Sequence, residues 1–201
     1  GFFEMLNRRF KAIGYILCIS GMCLLISSAY PVVKAHLGTY LLSQTWKKVT
    51  AENKSQRPWP SADFSAVARL DVPALGVSRI VLDKSSGQAM AWGIGLVEAS
   101  MTHSNNPIIL AGHRDSHMSF MAHLSKGDEL KMQLSDRSRE TYIVNSIEIT
   151  DQPKLGLLPS NNTRQLLLTT CWPIHGIGPT DKRLVIWAER KARAEAEGLV
   201  L

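Results

Sequence analysis

Cysteine is scarce in this chain. Only three of its 201 residues are cysteine, and two of them, Cys18 and Cys23, fall inside its most apolar stretch. Cys171 stands alone outside it, so the rest of the chain has no disulfide framework to lean on. Composition leaves two readings of Cys171 open. One is a reactive thiol, because an unpaired cysteine is unusual in an exported domain; the other is a buried structural cysteine. Internal repeats and low-complexity tracts are also missing, which excludes repeat arrays. There is no basic block. The formal net charge is +6, yet Arg8, Arg9 and Lys11 face only Glu4 at the N-terminus, and beyond residue 33 the remaining 20 basic and 16 acidic side chains are dispersed. A mildly basic solvated surface follows, and no nucleic-acid partner is expected. A complete metal set is lacking too. His113-Arg114-Asp115-Ser116-His117 offers two histidines and an aspartate, but no further His/Cys cluster completes it and Arg114 would set positive charge among the ligands. Neither a metal nor a cofactor is expected.

What is present is an ordinary globular composition, 45% hydrophobic and 20% charged, long enough for one domain and an anchor. Residues 12–33 carry no charge and match the hydrocarbon thickness of a bilayer. The preceding Arg8, Arg9 and Lys11 put residues 1–11 in the cytoplasm and everything after Lys34 outside. Ser27-Ser28-Ala29 offers the small residues of a cleaved signal peptide, but the apolar run continues past them, favouring a retained anchor. The chain opens Gly1-Phe2-Phe3-Glu4, and Met5 is a candidate initiator. Residues 34–62 read as a juxtamembrane helix and linker. Leu37, Tyr40, Leu41 and Val49 recur at roughly helical spacing, Trp46 can dock on the domain or on headgroups, and residues 51–61 are polar with two prolines. The folded domain is expected over 63–190, with 191–201 a tail.

Strand signals dominate that domain. They fall at 67–72, 77–82, 107–111, 129–134, 141–149, 165–171 and 184–189. Short helical turns are expected at 87–92, broken by Gly93 and Gly95, and at 117–124. Short strands at close spacing with little helix between them argue for a closed or nearly closed β-barrel.

Leu166-Leu167-Leu168-Thr169-Thr170-Cys171 reads as a buried strand ending at a thiol, with Pro173 preventing its continuation. A thiol needs a neighbouring cation or base to become a strong nucleophile. Of six histidines, His36 lies by the membrane, His103, His117 and His123 read as surface residues, and His175 sits beyond Pro173. His113 differs, because it follows an apolar strand and a glycine, at another strand end. Two such ends can meet across the mouth of a barrel. Arg183 opens the last strand and could reach the same mouth, where its guanidinium could hold a carbonyl or an oxyanion. On spacing alone an ordinary edge arginine is the simpler reading.

Taken together these segments resemble the sortases, membrane-anchored cysteine transpeptidases. Leu167-Leu168-Thr169-Thr170-Cys171 resembles the family's Thr-Leu-x-Thr-Cys strand end, with Leu167 where threonine is usual. Ala111-Gly112-His113-Arg114-Asp115 resembles its Gly-His segment, and Arg183-Leu184-Val185 its arginine strand. Pro58-Trp59-Pro60 and the entry over 67–77 resemble a Gram-negative subgroup of marine proteobacterial type. The resemblance runs from about Trp59 onward and includes the anchor. It implies a mainly β fold, an eight-stranded sortase-type β-barrel with short helices, preceded by one transmembrane helix.

The resemblance further implies that Cys171 attacks the threonine carbonyl of a C-terminal sorting signal like Leu-Pro-x-Thr-Gly. His113 would protonate the leaving amine and later deprotonate the incoming one. Arg183 would hold substrate and oxyanion, and Thr170 would line the substrate groove. Arg114 and Asp115 would orient His113 or hold a loop. The partners implied are a protein bearing the sorting signal, an amine acceptor and the inner membrane, with the catalytic domain in the periplasm. Two other outcomes are kept in view: a hydrolytic cysteine peptidase, and a non-catalytic anchored barrel that binds peptides. An L,D-transpeptidase carries histidine just before its cysteine, whereas Thr169-Thr170 precede Cys171 here and His175-Gly176 follow it.

Overall fold

An uncharged run of leucine, isoleucine and small residues has no reason to leave the helical conformation, which satisfies every backbone polar group internally. In the computed structural model, which describes residues 2–98, 107–151 and 165–191, helix α1 spans Phe2–Glu52. The chain divides into two compact units, Gly1–Tyr40 and Leu41–Leu201. In the first, Ile13, Ile16, Leu17, Ile19, Leu24 and Leu25 are all exposed. One N-terminal helix is thus long and apolar enough to cross a membrane.

In the second unit the end of α1 is part of the domain. Leu42, Trp46 and Val49, at helical spacing, are buried. Trp46 and Val49 pack with Ala66 and Ile80, while Leu42 packs with Phe64 and Leu82. Of the two places open to Trp46, the domain is the one it occupies. The polar segment that follows wraps the barrel. Trp59 sets its ring edge-on to Phe64 at 5.6 Å and to Trp92 at 5.1 Å.

The strands are β1 (Ala66–Val72), β2 (Val77–Leu82), β3 (Ile94–Leu96), β4 (Ile108–Ala111), β5 (Glu129–Leu134), β6 (Arg139–Thr150), β7 (Gln165–Cys171) and β8 (Arg183–Arg190). They close a barrel in the order β1-β2-β3-β4-β7-β8-β6-β5, with β5 returning to β1. Helix α2 (Gly87–Trp92) links β2 to β3, and its Ser86 side chain accepts from Ala89 N–H at the N-terminus. Two pairings are parallel, β2 with β3 and β4 with β7. Period-two alternation sends one side chain of each pair inward. Leu70, Val81, Leu110, Leu130, Tyr142, Leu168 and Ile186 fill the interior. The mainly β, eight-stranded barrel expected from the resemblance is the fold observed.

One strand differs from expectation. Gly93 and Gly95 read as helix breakers, and so they are, but Gly95 is also the middle of β3. Three residues carrying a central glycine leave no alternation to read. The glycine is needed because a Cβ at 95 would lie 2.6 Å from Lys84 O and 2.7 Å from Ser85 Cα. Those atoms are backbone of the segment that follows β2, so a Cβ there would force that main chain to shift. The Gly95→Ala chain should lose about 2 kcal/mol, a drop of roughly 4–8 °C in Tm, when full-length protein in detergent is melted by circular dichroism.

Candidate active site

Strands β4, β7 and β8 lie side by side, and their registers determine what meets at their ends. Ala111 pairs with Thr169 across the parallel β4–β7 ladder. Cys171 pairs with Arg183 across the antiparallel β7–β8 ladder. His113 lies two residues beyond the end of β4. The intermediate position is held by a hydrogen bond from Thr170 Oγ1 to Gly112 O, 2.8 Å. Thiol and guanidinium therefore stem from paired positions on adjacent strands about 4.8 Å apart, and the imidazole belongs to the segment that follows β4 on the other flank of β7.

That pair belongs to the outer face of the barrel. Leu166 and Leu168 are in the interior cluster, whereas Leu167 joins Ile109 and Val185 in a separate cluster with Val97 and Trp187 beside it. Alternation places Cys171 on the Leu167 side. Its thiol is partly exposed, and Arg183 Nη1 donates to Cys171 Sγ. A planar guanidinium with several donors can also hold an oxygen gaining negative charge beside the sulfur. His113 is exposed at the mouth.

The loop after His113 is tied at several points. Met118 N–H donates to His113 O at 3.1 Å, and a Cβ on Gly112 would come 2.9 Å from Met118 Cγ. Arg114 Nη2 donates to Gly178 O at 2.6 Å, which couples this loop to the β7–β8 connection. Arg114 thus has the loop-holding part expected of it. Asp115 is exposed. Thr170, expected in the substrate groove, is 3% exposed and donates its hydroxyl to Gly112 O.

His117 reads from the sequence as a surface residue, but it is half-buried and its Nε2 donates to Ala91 O at 3.3 Å. Burial is the main cause holding its pKa below the ordinary 6.5. The Ala91 bond opposes this, Arg79 and His113 add to it, and Asp115 opposes it. Its signal in the sequence was the nearby buried pair Met118 and Phe120, not its own type. Of the other histidines, His36, His123 and His175 are exposed, and His103 lies outside the described residues. Among the described residues no group of three His, Cys, Asp or Glu could hold a metal ion.

A sortase-domain family model matches residues 70–191. The chain belongs to the sortase family. Sortase D of Bacillus subtilis (strain 168) is 26% identical to it over 146 residues, covering 72% of this chain and 73% of that protein. Among solved structures, sortase A from Corynebacterium diphtheriae shares the fold with a TM-score of 0.57 at 14% identity, covering 84% of this chain and 91% of that one. Sortase C1 from Streptococcus agalactiae gives 0.53 at 22% identity, covering 63% and 67%. This sortase is thus of a cysteine transpeptidase family, and its thiol lies on the matched segment.

Because the folded pKa of His117 is lowered, the unfolded chain takes up its proton first as pH falls. The stability this group contributes is whole above pH 6.5 and is lost as pH drops below it. Melting temperatures from pH 8 to 5 should therefore fall less steeply for His117→Gln than for the parent, with the curves diverging below about 6.5.

Proposed function

We propose that this sortase cleaves a C-terminal sorting signal resembling Leu-Pro-x-Thr-Gly and transfers the acyl part to an amine. The Cys171 thiol passes its proton to His113 as its sulfur attacks the threonine carbonyl, and the carbonyl electrons move to oxygen. Arg183 holds that oxyanion, a role its contact with Cys171 Sγ supports. When the tetrahedral species collapses the C–N bond breaks, and His113 gives a proton to the departing glycine amine. A thioester on Cys171 remains. An incoming amine loses its proton to His113, attacks the thioester and releases the thiol. Thr170 ties β7 to the residue just before His113, which supports a fixed position for that histidine's backbone.

The observation that carries this reading is that Arg183 pairs with Cys171 and donates to its sulfur, while β4, which leads to His113, flanks the same strand on its other side. The apolar N-terminal helix supports single-pass anchoring. The positive charge of Arg8, Arg9 and Lys11 before it supports a catalytic domain on the outer side of the inner membrane, in the periplasm. Pro58-Trp59-Pro60 supports the Gram-negative subgroup, and Trp59 is the ring that the α2 end packs against.

Full-length protein in detergent, mixed with a Leu-Pro-Glu-Thr-Gly peptide, should give a mass-shifted adduct on Cys171. Cys171→Ala should give none. Arg183→Ala should lower kcat/KM by about 10²–10³-fold, and His113→Ala by about 10²–10⁴-fold. Added amine should divert product from acid to amide; acid alone would mark a hydrolytic peptidase. Equal cleavage by Cys171→Ala and the parent would end the proposal.

A further inference from the structure

His113 stands in a turn rather than on a strand, so its place depends on what holds that turn. Met118 N–H closes it by donating to His113 O at 3.1 Å, and Met118 is fully buried in the barrel interior. Thr170 holds the residue before it, through Gly112 O. The end of α2 holds it as well. A Cβ on Gly112 would stand 3.8 Å from the carbonyl oxygen of Gly93, the residue that follows that helix. His117 Nε2 donates to Ala91 O, in the helix's last turn, at 3.3 Å.

Helix α2 is a firm point of attachment. Ser86 accepts from Ala89 N–H at its start, Ala89 is buried with Phe64 and Leu82, and Trp92 packs against the same cluster. The last carbonyls of a helix have no partner within it. Gly93 N–H donates to Ala89 O at 3.0 Å, and the His117 ring serves Ala91 O from another part of the chain. A carbonyl only accepts, so Nε2 carries the hydrogen. Packing of the turn does not call for an imidazole, because Met118 and Phe120 supply its apolar fill. Half-burying one costs hydration that an apolar side chain would not lose. His113 and Asp115 of the same turn, and Arg79 of β2, all act on the ring electrostatically, which makes the two histidines spatial neighbours.

We infer that His117 is a positioning residue that clamps the turn bearing His113 to the end of α2 and so fixes the imidazole that exchanges protons with Cys171 and the substrate amine. This rests on the catalytic reading of His113. The clamp needs a donor at the Nε2 point and no charge. Misplacing an acid–base group by about 1 Å can cost up to two orders of magnitude in rate.

Side-chain length gives the test. A glutamine amide nitrogen extends as far from the backbone as Nε2, whereas an asparagine amide stops where Nδ1 would be. Full-length parent, His117→Gln and His117→Asn are compared in detergent with a quenched-fluorescent Leu-Pro-Glu-Thr-Gly peptide, and folding is checked by circular dichroism. His117→Asn should lower kcat about tenfold with KM within about twofold of the parent, and His117→Gln should stay within about twofold in both. His117→Leu, which keeps the bulk and removes the donor, should match His117→Asn. In His113→Ala protein, with product measured by mass spectrometry after long incubation, adding His117→Asn should cost less than about twofold, because nothing is left to position. An equal loss in both backgrounds would mark general damage to the fold and overturn the inference. Parental kcat in folded His117→Asn or His117→Leu would overturn it too, as would a loss in His117→Gln equal to that in His117→Asn. No turnover by the parent, or parental turnover by His113→Ala, would remove the catalytic reading, and this inference with it.

Discussion

The pairing of β7 with β4 on one side and β8 on the other is the constraint on which this molecule depends. A parallel partner cannot be reached by a tight turn, so the chain leaves β4, makes β5 and β6 at the far side of the barrel, and returns. The closed barrel then has no freedom to slide. β8 is held by β7 and by β6, β6 by β5, and β5 by β1. Moving β7 by one residue would disturb the ladders on both its flanks. The apolar side chains of β7 are sealed against that movement, with Leu166, Leu167 and Leu168 all at 0% exposure. Thr170 adds a polar lock between the ladders, from β7 to the residue just before His113. Geometry at the mouth is therefore set by the packing of the whole sheet rather than by the loops around it.

Much of this was legible in the residues. Alternating runs such as β1 and β5 announce themselves, because burial on one face fixes their period, and β7 reads as a continuous apolar run buried on both faces. The thiol at a strand end and the histidine after Gly112 were readable for the same reason, as chemistry placed where a buried run stops. The adjacency of the strands that lead to them was not readable from spacing. It depends on a parallel register between segments 58 positions apart, which local pattern cannot encode. Resemblance to a family supplied what physics alone left open.

The parts that escaped have physical reasons. β3 is three residues with a glycine at its centre, so it has neither length nor alternation to mark it. Its place depends on a backbone approach visible only in space. Thr170 looked like a groove residue because it adjoins Cys171 in sequence, yet neighbours in a strand face opposite ways. Its buried hydroxyl joins Gly112 O, a contact that adjacency in sequence does not show. His117 was misjudged by residue type, since a histidine among polar neighbours reads as solvated. Its burial comes from α2, whose Ala91 carbonyl it reaches across 26 positions.

The parity of β7 also bears on what Cys171 can do. An eight-stranded barrel is just wide enough for its own side chains, and here they fill it. A thiol on the Leu168 side would meet only packed hydrocarbon. Cys171 lies on the other side, partly exposed, where the guanidinium of Arg183 reaches its sulfur. A buried structural cysteine would behave as a small hydrophobe and would gain nothing from a charged donor at its sulfur. Burying part of a guanidinium against a thiol has a desolvation cost that packing alone does not offset. Such an arrangement makes sense where a charge arrives at that point during a reaction, and the outer face is the one from which a substrate can bring it.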